Sequence, residues 1–275
     1  MSAVDNLPGR DGKSIYDAWL NTGINTRKER TTLGAKRMVI TTVKEARKHV
    51  GSHSNTDKMP GVSYGIQSKD CGIGSKLANI EGSVCEKCYG NWGFYFMPNV
   101  KRAEDLRKGL MESDPLWEDS MVFLNLRLKP LPGDDSPYFR WFDNGDLQST
   151  ANLERIVRVC ERTPGVKYWL PTKEYGIVNE FLSKGGVIPD NLSIRASGYM
   201  FNDPPPAFAK TGKFQLMQQI PTSTATYLDE NQEPERVHGH LCPAHWQQGQ
   251  CGDCRACWSK EVPNVTYPNQ RQKIK

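Results

Sequence analysis

Apolar and polar positions recur along the chain in blocks that predict helices and strands in turn. The most regular helical pattern spans 151–162, where Leu153, Ile156, Val157 and Cys160 recur at the spacing of one buried helix face. Further helices are predicted over 44–50, 99–111 and 175–183. Apolar runs rich in β-branched and aromatic residues predict strands over 38–43, 121–128, 138–142, 166–170 and 192–196, with a weak one over 213–218.

Strand, turn and helix follow one another at short spacing, which is typical of βα units and a parallel sheet. Three to five such units can be counted, fewer than a complete eight-stranded barrel needs. We therefore predict an α/β fold, a partial or irregular (β/α) barrel with a cysteine-rich metal-binding C-terminal segment. The expected organisation is a basic N-terminal arm over 1–60, a barrel-like core over 61–220 and the cysteine-rich segment over 221–275, in which 221–239 is a polar loop.

Composition narrows the class of protein. The 275 residues include 37% hydrophobic residues and seven tryptophans, which is enough for a packed core. No apolar run approaches the roughly 20 residues that span a membrane, and the first residues lack the apolar core of a signal peptide. We expect no membrane partner and a reducing compartment, where eight cysteines are more typical of metal ligands than of disulfides.

The net charge of +5 is a mild excess that permits a nucleic-acid partner. Basic residues are concentrated in the stretch 26–49, which is either a solvated surface or a contact with phosphates. The candidate nucleic-acid-binding residues are Arg27, Lys28, Arg30, Lys36 and Arg37.

The strongest chemical signal is a group of four cysteines near the C-terminus, and we call it the cysteine quartet. Its members are Cys242, Cys251, Cys254 and Cys257, and the last three form a C-x-x-C-x-x-C run. Four thiolates at this spacing suit a tetrahedral zinc ion or an iron–sulfur cluster. His238, His240 and His245 lie nearby as alternative ligands.

A second group, the cysteine trio, consists of Cys71, Cys85 and Cys88. Three cysteines without an obvious fourth leave one metal position open, as in a cluster that offers an iron to substrate or in a catalytic zinc site. A structural zinc site completed by His53, or by a cysteine elsewhere, explains the pattern equally well. Cys160 lies on the apolar face of its helix and is expected in the core.

A turn of sequence Asp143-Asn144-Gly145-Asp146 follows the strand predicted over 138–142. Carboxylates at the carboxyl end of a parallel strand stand where α/β folds carry out their chemistry. Asp143 and Asp146 are therefore candidate catalytic residues. The alternative is structural: Asp143 and Asn144 shape the turn, Gly145 adopts a positive φ, and Ser149 or Thr150 caps the following helix.

Four motifs occur in a fixed order: Cys85-x-x-Cys88-Tyr89, then RWFDNGDLQS, YWLPTKE and the terminal C-x-x-C-x-x-C-Trp. This order resembles the phage protein family named after mycobacteriophage gene product eighty-eight, from about residue 64 to 267. The resemblance implies a phage or prophage origin, and hence a location in the cytoplasm of the infected host.

The run from Asp143 to Gln148 is also similar to the D-S-G-G-F-Q signature of tRNA-guanine transglycosylases and their phage DNA relatives. Asp143, Gly145 and Gln148 match, whereas Asp146 replaces a glycine and Leu147 a phenylalanine. The resemblance implies a zinc-containing barrel enzyme that exchanges guanine for a 7-deazaguanine base in DNA or RNA through a covalent intermediate. Candidate nucleophiles are Asp146, Glu174 and Asp203; candidate substrate-binding residues are Gly145, Gln148, Trp141 and Lys173, with Phe142 and Tyr168 as further stacking surfaces.

Two other functions fit the same residues. In a radical-SAM-like enzyme, one that uses S-adenosylmethionine, the cysteine trio would hold an open iron–sulfur cluster and the cysteine quartet an auxiliary one. The usual C-x-x-x-C-x-x-C spacing is absent, because thirteen residues separate Cys71 from Cys85. The third interpretation is a non-enzymatic, zinc-stapled nucleic-acid-binding protein.

Overall fold

The computed structural model describes residues 39–56 and 58–269. The chain divides between Ile40 and Thr41, and all the elements below follow that division. The helices are α1 Val43–Val50, α2 Gly72–Leu77, α3 Pro98–Ser113, α4 Trp117–Asn125, α5 Thr150–Glu161 and α6 Tyr175–Ser183. The strands are β1 Ser54–Asn55, β2 Gly61–Tyr64, β3 Tyr138–Trp141, β4 Lys167–Thr172, β5 Leu192–Phe201, β6 Thr222–Thr226, β7 His240–Leu241 and β8 Asn264–Pro268.

Within the described residues the eight strands form one sheet in the order β1-β2-β3-β4-β5-β6-β8-β7. Only β1 pairs antiparallel, with β2; every other neighbouring pair is parallel. The predicted α/β class with a parallel sheet is therefore confirmed. Closure into a barrel is not confirmed, since no pairing in the described part of the chain joins β1 to β7.

Helices cover one face of the sheet. Trp117 of α4 lies 5.9 Å from the Tyr64 ring and 6.0 Å from the Trp141 ring, measured between ring centroids. Asn125 Nδ2 at the end of α4 donates a hydrogen bond of 2.9 Å to Tyr168 Oη on β4. Tyr64, Trp117, Trp141 and Tyr168 on this face have no exposed surface, and their burial away from water stabilises the fold.

The C-terminal cysteine segment covers the other face. Trp258 packs edge-on against Tyr138 and Trp169, and its indole N–H donates to the Phe139 carbonyl at 2.9 Å. Arg195 of β5 is completely buried and donates to five backbone carbonyls, those of Thr222, Ala256, Cys257, Ser259 and Val262. These carbonyls satisfy a guanidinium that would otherwise be costly to bury, so Arg195 fixes the segment to the sheet.

Several predicted elements are confirmed. The helix expected over 151–162 is α5, and Ser149 Oγ caps it by accepting from the Asn152 N–H at 3.1 Å. The helix expected over 175–183 is α6, and α1 and α3 match the helices expected over 44–50 and 99–111. Strands expected over 138–142, 166–170 and 192–196 correspond to β3, β4 and β5. No helix in the described part is long and apolar enough to cross a membrane.

Four predictions of secondary structure are wrong. The run 121–128 is not a strand, because most of it belongs to α4, which is buried from Ser120 to Asn125 and therefore lacks a polar face. The described residues of 38–43 form no strand, since Thr42 caps α1 through its hydroxyl. The expected strand over 213–218 is instead a 3-10 turn at Gln215–Gln219. The stretch 221–239, predicted as a polar loop, contains β6. Its threonines are polar and suggested a loop, but they are buried in the sheet.

Candidate active site

The turn after β3 lies at the carboxyl end of the sheet, beside the end of β4. Gly145 adopts a positive φ of 77°, as predicted, and a Cβ there would lie 2.7 Å from the Ile66 carbonyl oxygen. Phe142 also adopts a positive φ of 53°, although it is a buried aromatic residue. Such a conformation costs on the order of 1–3 kcal/mol and persists only where the surroundings fix it. The turn is therefore rigidly held.

Asp143 is held from two directions. Only 4% of the residue is exposed, and its Oδ2 accepts a hydrogen bond of 3.0 Å from Tyr95 Oη. Tyr89 Oη donates to its backbone carbonyl. The other carboxylate oxygen of Asp143, Oδ1, has no hydrogen-bond partner. It faces Gly65, where a Cβ would lie 2.5 Å from that oxygen. The carboxylate thus points into the protein.

Asp146 joins the turn to the end of β4. Its Oδ1 accepts from the Leu147 N–H and its Oδ2 from the Lys173 N–H, both at 2.8 Å. Burial raises the pKa of the Asp146 carboxyl to about 6, and these backbone donors oppose the rise. Oδ2 therefore ties the turn to the end of β4, while Oδ1 is engaged within the turn itself.

Asn144 connects the turn to helix α3. Its Nδ2 donates a hydrogen bond of 2.9 Å to Glu104 Oε1, and Glu104 is only 1% exposed. Burial raises the pKa of the Glu104 carboxyl to about 7. The position of the turn therefore depends on a side chain forty residues away in sequence.

The cysteine trio comes together beside this turn. Cys71 Sγ and Cys85 Sγ stand 3.5 and 3.7 Å from the point that a Cβ on Gly74 would occupy. Burial raises the pKa of both thiols, and the neighbouring negative charge of Asp146 and Cys88 raises each further. The Lys173 ammonium acts in the opposite direction on both. Gly74 thus leaves open the space between two sulfurs that have a cation nearby.

Two polar side chains tie the trio to the sheet. Glu174 Oε1 accepts a hydrogen bond of 2.6 Å from the Ile73 N–H, at the start of α2. Gln148 Nε2 donates to the carbonyls of Asp70 and Asp146, at 3.0 and 2.9 Å. Both were predicted to take part in chemistry or substrate binding. In the structure their polar groups position the chain around Cys71.

The cysteine quartet also converges. Burial raises the pKa of Cys251 to about 11 and of Cys257 to about 12, and the other thiols of the quartet add to both rises. Cys257 Sγ lies 3.1 Å from Tyr267 Oη. Of the three nearby histidines, His240 has its Nε2 3.2 Å from Cys254 Sγ, whereas the His245 ring packs against Trp246.

Arg140 lies between the two cysteine groups. Its guanidinium donates to the Oη of Tyr89 at 3.0 Å and stands 4.4 Å from the centre of the Trp169 ring. Tyr89 is next in sequence to Cys88. Its charge lowers the pKa of Cys251 of the quartet. Arg140, Tyr89 and Tyr95 were not predicted as site residues; the only sequence signal was a single arginine within an aromatic strand.

The remaining predicted site residues lie elsewhere. Trp141 has no exposed surface and packs among Tyr64, Phe139 and Tyr168, as a core residue does. The His53 ring contacts Met121 Sδ at 3.2 Å and the Phe139 ring, so it does not complete the trio. Asp203 is exposed after β5. The predicted basic residues Arg27, Lys28, Arg30, Lys36 and Arg37 lie outside the described residues.

The predicted metal ligands are free thiols. All eight cysteines belong to the described part and none forms a disulfide; Cys160 is buried in the core, as expected. Within residues 39–56 and 58–269, no three histidine, cysteine or acidic side chains stand close enough together to hold one metal ion. Metal binding by the trio or by the quartet is therefore not confirmed and stays a prediction.

Comparison with known proteins identifies the family of this chain. No curated protein and no solved structure matches the chain. The model of one protein family, described as Gene product 88, matches residues 20–260, which is most of the chain. The resemblance drawn from the order of the motifs is thereby confirmed, whereas no match supports the likeness to transglycosylases. The chain belongs to the phage Gene product 88 family.

Proposed function

We propose that this protein is an iron–sulfur enzyme in which Cys71, Cys85 and Cys88 hold a cluster at the carboxyl end of the sheet. The observation that carries the proposal is the approach of the partly buried Cys71 and Cys85 thiols to Gly74, with Cys88 near enough to raise the pKa of both, beside the ends of β3 and β4. Open α/β sheets bind their ligands in the crevice outside these strand ends. A cluster normally has four cysteine ligands, so three leave one iron with a free position.

The chemistry of the trio suits a cluster, because all three donors are thiols and in a cluster each thiolate binds a different iron. Gly74 supports this choice, because a Cβ there would lie 2.9 Å from Cys71 Cβ and would fill the space between the sulfurs. Lys173 favours the thiolate form that ligation requires.

The cofactor we propose for the free iron position is S-adenosylmethionine. With both groups bound, the cluster would supply the one-electron chemistry that makes this cofactor a source of radicals. The chain itself contributes orientation: Glu174 and Gln148 bond to the backbone on either side of Cys71, and Asp146 joins the turn after β3 to the end of β4. Arg140 keeps a positive charge between the two cysteine groups.

For the cysteine quartet we propose a second metal group, either zinc or an auxiliary cluster. Mutual charge interactions among its thiols, and the approach of His240 to Cys254, support a shared ligand. The segment covers the sheet face opposite the helices, and Arg195 anchors it there. Metal binding would stabilise this segment, because its 3-10 turns bury few apolar side chains of their own.

Exchange of guanine for a 7-deazaguanine base is less well supported. That reaction needs a carboxylate that reaches the sugar, whereas Asp143 is buried and accepts from Tyr95. The amide of Gln148 is used by two backbone carbonyls, and Trp141 offers no surface for a base to stack on. These placements favour a structural role for the turn.

The test is reductive cleavage of S-adenosylmethionine by anaerobically purified protein after addition of a chemical reductant. We expect cleavage by the wild type and none by Cys85→Ser, since the lost ligand removes the cluster. Cys160→Ala is the matched control: Cys160 is a buried core thiol outside both groups, and its removal should leave cleavage intact. Cleavage that survives in Cys85→Ser would contradict the proposal.

The same samples separate the alternatives. Guanine exchange into DNA that is abolished by Asp143→Ala, in a colourless zinc protein, would establish the transglycosylase function instead. Nucleic-acid binding with neither activity would establish the non-enzymatic function.

A further inference from the structure

A short loop after the cysteine trio exposes an unusual number of aromatic rings. It consists of the two 3-10 turns Tyr89–Asn91 and Gly93–Phe96 with Trp92 between them, and we call it the aromatic loop. Trp92, Phe94 and Phe96 are 62, 80 and 61% exposed. Exposing three large rings within five residues is unfavourable in water, and adjoining exposed apolar groups of this kind mark interaction sites.

Basic residues flank the aromatic loop. From residue 87 to 102 the chain contains Lys87, Lys101 and Arg102 and no acidic residue, whereas Glu86 and Glu104 lie just outside this stretch. Lys101 Nζ stands 3.7 Å from the centre of the Phe96 ring, so a cation is held directly against one of the exposed rings. The partner of this surface should therefore be both flat and apolar enough to stack and negatively charged.

The base of the aromatic loop is fixed while its rings face solvent. Gln67 Nε2 donates to the Lys101 carbonyl at 3.0 Å, and Ser68 Oγ donates to Asn91 Oδ1 at 2.7 Å. Tyr89, at the start of the loop, bonds to the Asp143 carbonyl and accepts from Arg140. The loop is consequently held beside the turn after β3 through Tyr89.

We propose that Trp92, Phe94 and Phe96 form a stacking platform for the unpaired bases of a single-stranded nucleic acid. Every base has a face that can stack on an aromatic ring, and the neighbouring cations match the phosphates that link the bases. Stacking does not read the 2′-hydroxyl, so DNA and RNA strands should bind alike. A protein partner explains the rings but not the cation held against one of them. This platform is independent of the proposed cluster.

The experiment measures fluorescence anisotropy of labelled oligo(dT) and oligo(U) of equal length with the full-length protein. Trp92→Ala and Phe94→Ala should each weaken binding of both strands by about ten- to a hundredfold, the range for loss of one stacked base. Trp246→Ala is the matched control, since Trp246 is an exposed tryptophan outside the loop. The control variant should bind as the wild type does, and all three should keep the wild-type melting temperature.

Three results would overturn the platform. The first is that both loop variants bind the strands with unchanged affinity, and the second is that Trp246→Ala weakens strand binding equally. The third is that the protein binds anionic lipid vesicles and the loop variants abolish that binding but not binding of the strands. A duplex of the same sequence should bind more weakly than the single strand, because its bases are already stacked. Binding retained by Cys85→Ser would support the platform even if the proposed cluster is absent.

Discussion

Replacing Glu104 with glutamine should remove a pH-dependent part of the protein's stability. Glu104 lies on α3, is almost fully buried, and accepts from Asn144 of the site turn through Oε1, while its Oε2 has no hydrogen-bond partner. Burial raises its pKa from 4.5 to about 7. In the folded protein the carboxyl therefore keeps its proton at pH values where the unfolded chain has lost it.

The sign and size of the effect follow from this shift. Because the pKa in the folded protein is raised, the contribution to stability is fully present below about 4.5 and is lost as the pH rises through about 7. One pKa unit corresponds to about 1.4 kcal/mol, so wild-type unfolding free energy should lose roughly 2 kcal/mol between pH 5 and pH 8 from this group. Glutamine keeps the acceptor for Asn144 and does not titrate.

The assay is urea unfolding followed by circular dichroism at about pH 5 and pH 8. The stability of Glu104→Gln relative to wild type should rise by roughly 2 kcal/mol between the two pH values. Asp146, whose pKa is also raised, titrates in both proteins and cancels in the difference. Glu112→Gln, an exposed position on the same helix, should show no such change. A Glu104→Gln difference that is the same at both pH values would refute the reasoning.

Two further substitutions test how the site is supported. Arg195→Met leaves five buried carbonyls without their donor and should lower the unfolding free energy by at least about 3 kcal/mol. Limited proteolysis of the variant should then cut the C-terminal segment first, and a cleavage pattern identical to that of the wild type would contradict this. Gly65→Ala brings a Cβ to 2.5 Å from Asp143 Oδ1 and should cost roughly 2 kcal/mol in urea unfolding, whereas Gly109→Ala, with nothing within 4 Å, should be neutral or stabilising.

Helix α5 was predictable from the sequence, whereas helix α4 and strand β6 were not. One face of α5 is buried and the other is exposed, so its helical period is visible in the sequence. Helix α4 is buried continuously from Ser120 to Asn125, so its apolar run looks like that of a strand. Strand β6 consists largely of threonine and serine, whose hydroxyls are satisfied inside the sheet, as in the 3.0 Å contact between Thr224 and Thr266. Burial there depends on partners that sequence alone does not reveal.

Residue types indicated which segments to consider, but the contacts of their side chains could not be predicted. The cysteine trio and the acidic turn, both singled out from the sequence, lie near each other in the structure. Glu174 and Gln148 hold the backbone around Cys71, a role that the sequence does not indicate. A carboxylate or amide that bonds to the backbone cannot be distinguished by sequence from one that acts on a substrate. Arg140 and Tyr95 become site residues only through contacts between distant segments.

The central claim, that the cysteine trio holds an iron–sulfur cluster, is tested most directly by iron and acid-labile sulfide content after anaerobic purification. The account predicts a brown wild-type protein that absorbs near ~400 nm, and a variant with Cys71, Cys85 and Cys88 all changed to serine that loses about four iron atoms per chain. Cys160→Ala should retain the wild-type content. A wild-type protein without iron, or iron content unchanged in the triple variant, would contradict the account.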